Sequence, residues 1–198
     1  MKIQTANQLR GMATGVIFMA FFGGVWFFFA LLERQIVSVS HAAGVALGMA
    51  VLLVPALTLF RTAKRWPRVT EDSAARRTFN QVNAAQWIAG FALFYVLRWI
   101  HLDDYFMSAL TAIVGLHFFP LAKIYHNPAA RGTGAILVAW AVASVVFVPV
   151  EHLPSSTGFG TGLILWHSAA ITLSVALQAV RESGDLLTPL TQPTPLSE

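Results

Sequence analysis

The stretch that decides the fold is GMATGVIFMAFFGGVWFFFALL, residues 11–32, a run of 22 residues without one charged side chain. At 1.5 Å of rise per residue a helix of that length covers roughly 33 Å, enough to cross a hydrocarbon core of about 30 Å. A secretory leader is the competing reading, because Lys2 and Arg10 precede the run and Ser38, Ser40, Ala42 and Ala43 follow it. Leader cores are only about 7–15 residues long, so this segment reads as a spanning helix.

Working outward, five further apolar segments occupy 41–60, 84–100, 105–122, 133–150 and 159–180. Composition agrees: 56% of the residues are hydrophobic and 11% charged, which leaves too little polar surface for an ordinary soluble domain. In lipid every backbone N–H and C=O must be satisfied within its own segment, and these runs are too long for barrel strands. The expected fold is therefore all-α, an integral membrane bundle of six transmembrane helices over 1–181. The tail 182–198, polar and carrying Pro189, Pro193 and Pro195, reads as a flexible cytoplasmic end.

Orientation follows from the basic residues. With the N-terminus inside, all 13 lysines and arginines except Arg34 and Arg98 fall on the cytoplasmic side, so both termini are expected there. The net charge of +4 is thus spent on topology and implies no nucleic-acid partner; the expected partner is the lipid bilayer. In the long inner connection, Trp66-Pro67 reads as an interfacial break, and Thr70-Glu71-Asp72-Ser73 as a helix start with acids near the positive end of the dipole. The chain has no cysteine, which removes disulfides, thiolate metal sites and cysteine nucleophiles.

Small residues recur at four-residue spacing at Gly11 and Gly15, Gly44 and Gly48, Ala135, Ala139 and Ala143, and Gly158 and Gly162, a pattern that lets helix backbones approach closely. Ionisable groups at membrane depth are costly and point to function. His167 lies near the middle of the sixth segment and His117 near the inner end of the fourth, and both are expected to face the bundle interior. Arg98 sits near the outer end of the third, where it can extend toward the interface. Glu33, His41, His101, Asp103, Asp104, Glu151 and His152 all fall at or just beyond the outer helix ends. Imidazoles and carboxylates together suit a divalent cation or a proton vestibule, although none of their spacings is a metal motif. No catalytic motif such as HExxH or GxSxG is present, no pair of helical histidines is spaced to sandwich a haem, and no cofactor is implied.

The segment Val114-Gly-Leu-His117-Phe-Phe-Pro120-Leu-Ala-Lys123 resembles a motif in a family of small, multi-helix bacterial membrane proteins of unknown function. The resemblance implies a bacterial inner-membrane location and carries no activity. From the residues alone, the preferred function is a small transporter or permease for a proton, cation or small polar solute. The alternative is a non-transporting accessory, assembly or signalling protein. A bundle of this size leaves room for a homodimer or for a membrane protein partner.

Overall fold

The computed structural model describes residues 6–63, 73–124 and 127–186. Among them there are six α-helices and no strand: α1 (Ala6–Glu33), α2 (Val39–Thr62), α3 (Ser73–Trp99), α4 (Phe106–Ile124), α5 (Pro128–Phe147) and α6 (Leu153–Leu186). Trp66-Pro67, the helix start expected at Thr70 to Asp72, and residues 187–198 of the expected tail lie outside the described residues.

Five of the six helices are long and apolar enough to cross a membrane; α3 falls short of that standard. Its first half carries Asn80, Gln81, Asn83 and Gln86, and Arg98 stands at its other end. The uninterrupted apolar part is 87–97, only about 16 Å of helix. The outer surface nevertheless resembles an interior. Val39, Trp99 and Phe147 are each at least 80% exposed, and Phe29, Leu47, Trp87 and Ile136 are each at least half exposed. A water-soluble fold does not display apolar side chains on this scale, whereas a bilayer accepts them.

Four helices start five or more residues before the expected spans: α1 at Ala6 instead of 11 and α3 at Ser73 instead of 84 extend into polar sequence, and α5 and α6 each have a local reason. α5 begins at Pro128 instead of 133, because the Asn127 side chain caps it by accepting from the Ala129 N–H at 3.1 Å and Pro128 takes the first helical position. α6 begins at Leu153 instead of 159: a 3₁₀ turn, Val150–His152, leads directly into it and Pro154 stands in its first turn. At its far end α6 runs six residues past 180.

α1 and α3 end alike. After α1 the Ile36 N–H donates to the Leu31 carbonyl (3.3 Å) and Gln35 donates to Leu32 (2.9 Å); after α3 Leu102 donates to Leu97 (2.9 Å) and His101 to Arg98 (3.3 Å). This is the Schellman closure, and it puts Gln35 and His101 in the left-handed region at φ 54° and 58°, where glycine usually stands.

Packing is centred on α1 and α6, which run antiparallel with Gly23 opposite Gly162 and Trp26 opposite Gly158. α2 lies antiparallel along α1, where Gly24 meets Met49, and also touches α6. On the other side of α6 the antiparallel pair α4 and α5 closes the bundle through a contact of Gly115 with Gly134. α3 packs chiefly on α4 and is the outermost helix. Of the small-residue pairs noted in the sequence, Gly158 and Gly162 lie in a helix contact, as does Gly48, while Gly15 and Gly44 have open space where a Cβ would go.

These contrasts give a stability test. A Cβ at Gly162 would come 2.9 Å from the Gly23 carbonyl oxygen, so Gly162→Ala must push α1 and α6 apart and is expected to cost about 1–3 kcal/mol. Gly44→Ala meets nothing and should gain up to about 1 kcal/mol from helix propensity. Thermal unfolding in detergent measures both, and equal effects from the two substitutions would contradict the packing described.

Candidate functional site

Two polar arrangements stand out, one inside the bundle and one at its end. The inner one is a set of hydroxyls where α4, α5 and α6 meet. Ser108 Oγ lies 3.2 Å from Ser144 Oγ and 3.0 Å from Thr157 Oγ1, and one turn along Thr111 Oγ1 lies 2.9 Å from Thr161 Oγ1. All five side chains are buried. Toward the other end Thr133 Oγ1 donates to Ser168 Oγ at 3.0 Å, and the Trp140 indole N–H donates to the Thr157 carbonyl at 3.2 Å.

The hydroxyls sit on these faces because serine and threonine in lipid can return their single proton to their own helix. Thr111, Thr161 and Ser144 lie 2.8, 2.7 and 2.9 Å from the carbonyls of Met107, Thr157 and Ala141. Each facing hydroxyl can accept across the interface, and in the Thr111–Thr161 pair one member turns its proton from its own carbonyl toward the other for the two oxygens to be bonded. The arrangement holds helices together, and none of its members titrates at physiological pH.

The second arrangement is an open cleft of about 360 Å³ between the end of α1 and the start of α6, lined by Glu33, Arg34, Ile36, Glu151, His152, Pro154 and Ser155. Arg34 Nε donates to Ser155 Oγ at 3.2 Å, and that hydroxyl donates to the His152 carbonyl at 3.1 Å, which fixes the first turn of α6 to the end of α1. Glu33, Glu151 and His152 are exposed. A guanidinium, two carboxylates and an imidazole around one opening can hold a small cation or a zwitterion. Among the described residues no group of three or more His, Asp or Glu side chains is close enough to hold a metal ion.

The cleft gathers Glu33, Glu151 and His152 from the seven outer-end candidates and leaves the other four elsewhere. His41 stands in the first turn of α2, its Nδ1 2.7 Å from the Ser38 hydroxyl that caps the helix. Asp103 and Asp104 form the 3₁₀ turn ahead of α4, where carboxylates favour the positive end of the helix dipole. His101 is the left-handed residue that closes α3.

Of the intramembrane candidates, Arg98 is exposed in the last turn of α3. His117 is half-buried against α3, with its Nδ1 buried and unpartnered among the described residues; its other polar contact is the backbone of Val82. His167 is exposed on the outer face of α6, between its neighbours Trp166, which turns to α1, and Ser168, which turns to α5. The interior position expected for it is not the one it takes.

Sequence reasoning passed over the hydroxyls and Ser155. Ser108 with Thr111 and Thr157 with Thr161 are hydroxyls at helical i, i+3 and i, i+4 spacing, which was the available signal. Arg34 was counted only for topology.

Comparison of the chain with family models, with curated proteins and with solved structures finds no match.

Two substitutions separate backbone roles from side-chain roles. Thr111→Val keeps the shape and removes one hydroxyl from a pair in which each partner also has its own carbonyl, so it should cost only about 0.6 kcal/mol. His101→Gly relieves the left-handed strain and should raise stability by about 1 kcal/mol. Chemical denaturation of the detergent-solubilised protein reads both, and a loss of stability in His101→Gly would assign the imbalance to the imidazole.

Proposed function

We propose that the chain is a non-transporting membrane platform, an accessory, assembly or signalling protein of the bacterial inner membrane, with α3 as its sixth crossing and both termini in the cytoplasm. The observation that carries this reading is the interior itself. Where α4, α5 and α6 meet, the buried polar groups are hydroxyls that satisfy one another, and where α1 meets α6 the contact is backbone against backbone. A transport path for a proton or ion needs ionisable or water-lined groups at mid-depth facing inward. His167, the residue at that depth, faces outward instead.

The placement in the membrane rests on the charge pattern. Arg61 ends α2, Arg76 and Arg77 begin α3 and Lys123 ends α4 at one end of the bundle; Glu33, Asp103, Asp104 and Glu151 mark the other. The positive-inside rule then assigns the basic end to the cytoplasm. α3 suits a sixth crossing that is only half apolar: its polar first half, with Arg76, Arg77, Asn80 and Gln81 around an open groove, belongs at the interface, and its apolar second half crosses against α4.

The cleft formed by Glu33, Arg34, Glu151 and His152 favours a second reading, a small transporter or permease for a proton, cation or small polar solute that uses the cleft as its outer opening. Purified protein in liposomes distinguishes the two. With pyranine inside the vesicles and an imposed pH or potassium gradient, the platform reading expects flux equal to that of empty vesicles. Flux above that level which disappears in Glu33→Gln/Glu151→Gln would replace it with the transport reading.

A further inference from the structure

His167 creates a problem that the isolated chain does not solve. It lies midway between Leu153 and Arg181, about 21 Å of helix from either, which places it deep within the span of α6. Its side chain is exposed and has no hydrogen-bond partner among the described residues. The same exposed face continues through Ala170, Ser174 and Gln178 to Arg181, a stripe at three- and four-residue steps. On one side of the stripe Trp166 leads to α2 through Gly48, and on the other Ser168 leads to α5 through Thr133. Exposed faces elsewhere in the spans carry apolar side chains, as at Leu47, Val51 and Val54 on α2 and at Trp87, Ile88 and Phe91 on α3. An imidazole and a carboxamide in that position are costly unless another protein surface covers them.

We propose that this face of α6 is the contact of a homodimer, closed by a second copy of the same chain around a two-fold axis along the membrane normal. The chemistry selects that occupant. Both copies take the same orientation in the membrane, because the same basic residues hold the same end inside, so a two-fold interface sets each residue of the stripe near its own counterpart. The two larger polar groups of the stripe at membrane depth suit self-pairing. A neutral imidazole has one donor and one acceptor and a carboxamide has both, so His167 and Gln178 can each bond to an identical partner, while the Ser174 hydroxyl donates to the Ala170 carbonyl of its own helix at 2.8 Å. The charged group, Arg181, lies at the end where a guanidinium reaches water and repels its counterpart least. Ala170 and Ser174 form a small-xxx-small step between the two larger polar residues, which lets the helices come close enough for those bonds. Dimerisation is independent of whether the chain conducts, and its test does not involve flux.

The absence of cysteine makes the test direct, since any single cysteine introduced is the only one present. Ala170→Cys and Ser174→Cys, in native membranes treated with copper phenanthroline, are expected to give a covalent dimer of the chain. Phe91→Cys on the exposed face of α3 serves as the control and is expected to stay monomeric. All three positions are exposed, so the substitutions leave the packing of the single chain intact. No covalent dimer at 170 or 174, equal dimer at 91, or a cross-link to a different protein would each overturn the proposal. In a companion measurement, energy transfer between labelled copies in liposomes should show His167→Leu weakening association roughly threefold to tenfold. Unchanged or tighter association in His167→Leu would count against the role given to the imidazole.

Discussion

Helices in lipid cannot be driven together by burying apolar surface, because the bilayer is as apolar as the side chains. What remains is close contact between surfaces of matched shape, and in this chain it is concentrated at Trp166. Its ring occupies the hollows left by Gly23 on α1 and Gly48 on α2, both of which lack the Cβ that would overlap it, and its indole N–H donates to the Ala20 carbonyl at 2.9 Å. One residue of α6 thereby holds α1 and α2. Phe27 stacks edge-on to the same ring with centroids 4.7 Å apart, and Gly162 one turn away brings the backbones of α1 and α6 together. The positions of α1, α2 and α6 all follow from this junction.

The opposite side of α6 uses a different means to the same end. Trp140 repeats the tryptophan-on-glycine contact at Gly160, but the rest of the interface is made by hydroxyls. A hydroxyl that already returns its proton to the preceding turn adds little energy across an interface, about 0.6 kcal/mol on average for polar contacts in membranes. The geometric effect is larger than the energetic one. Ser108 meets both Ser144 and Thr157, so the registers of α4, α5 and α6 are set at one level of the bundle, and Thr111 with Thr161 repeats the setting one turn away. At this interface polar side chains are buried while large apolar ones such as Val146 and Phe147 face outward, the reverse of a soluble domain, although the core around α1, α2 and α6 is apolar.

That reversal explains what the sequence disclosed and what it withheld. The existence of the helices was legible, because length and lack of charge suffice to mark residues 11–32 or 41–60 as spans. Their ends were less so. Asn127 and Pro128 were read as part of a connection although they are a good cap and first residue of a helix, and the polar stretch 153–158 was read as a loop although it forms the first turns of α6. Sidedness was the hardest. In a soluble helix the apolar stripe marks the buried face, but α6 carries polar residues on its buried and its exposed sides alike, so its hydropathy did not say which way His167 points. The spacing of hydroxyls and glycines held that information: Thr157, Gly158, Thr161 and Gly162 share the buried face, and His167 falls opposite to them. The cleft was partly legible, since Glu33, Glu151 and His152 were singled out for lying at one end. The contact of Arg34 with Ser155 spans 121 positions of sequence and could only be seen in the fold.

The distribution of polar groups also separates two tasks within the chain. The hydroxyls of α4, α5 and the buried side of α6 neutralise one another locally, and the buried polar atoms without a partner among the described residues, Arg10 Nε on α1 and His117 Nδ1 on α4, lie toward the basic end of the bundle. Groups with free hydrogen-bonding capacity are placed at the margins: the cleft at the end of α1, the polar first half of α3, and the exposed stripe of α6. A membrane protein whose function depended on an internal path would show the opposite allocation, with its costly residues inside and its faces toward lipid uniformly apolar. Here an imidazole at mid-depth of its helix stands on an outer face, where the proposed second copy of the chain would offset its cost. The rigid interior and the polar exterior are thus complementary: the first holds the second in a fixed geometry, which is what a surface made for association requires.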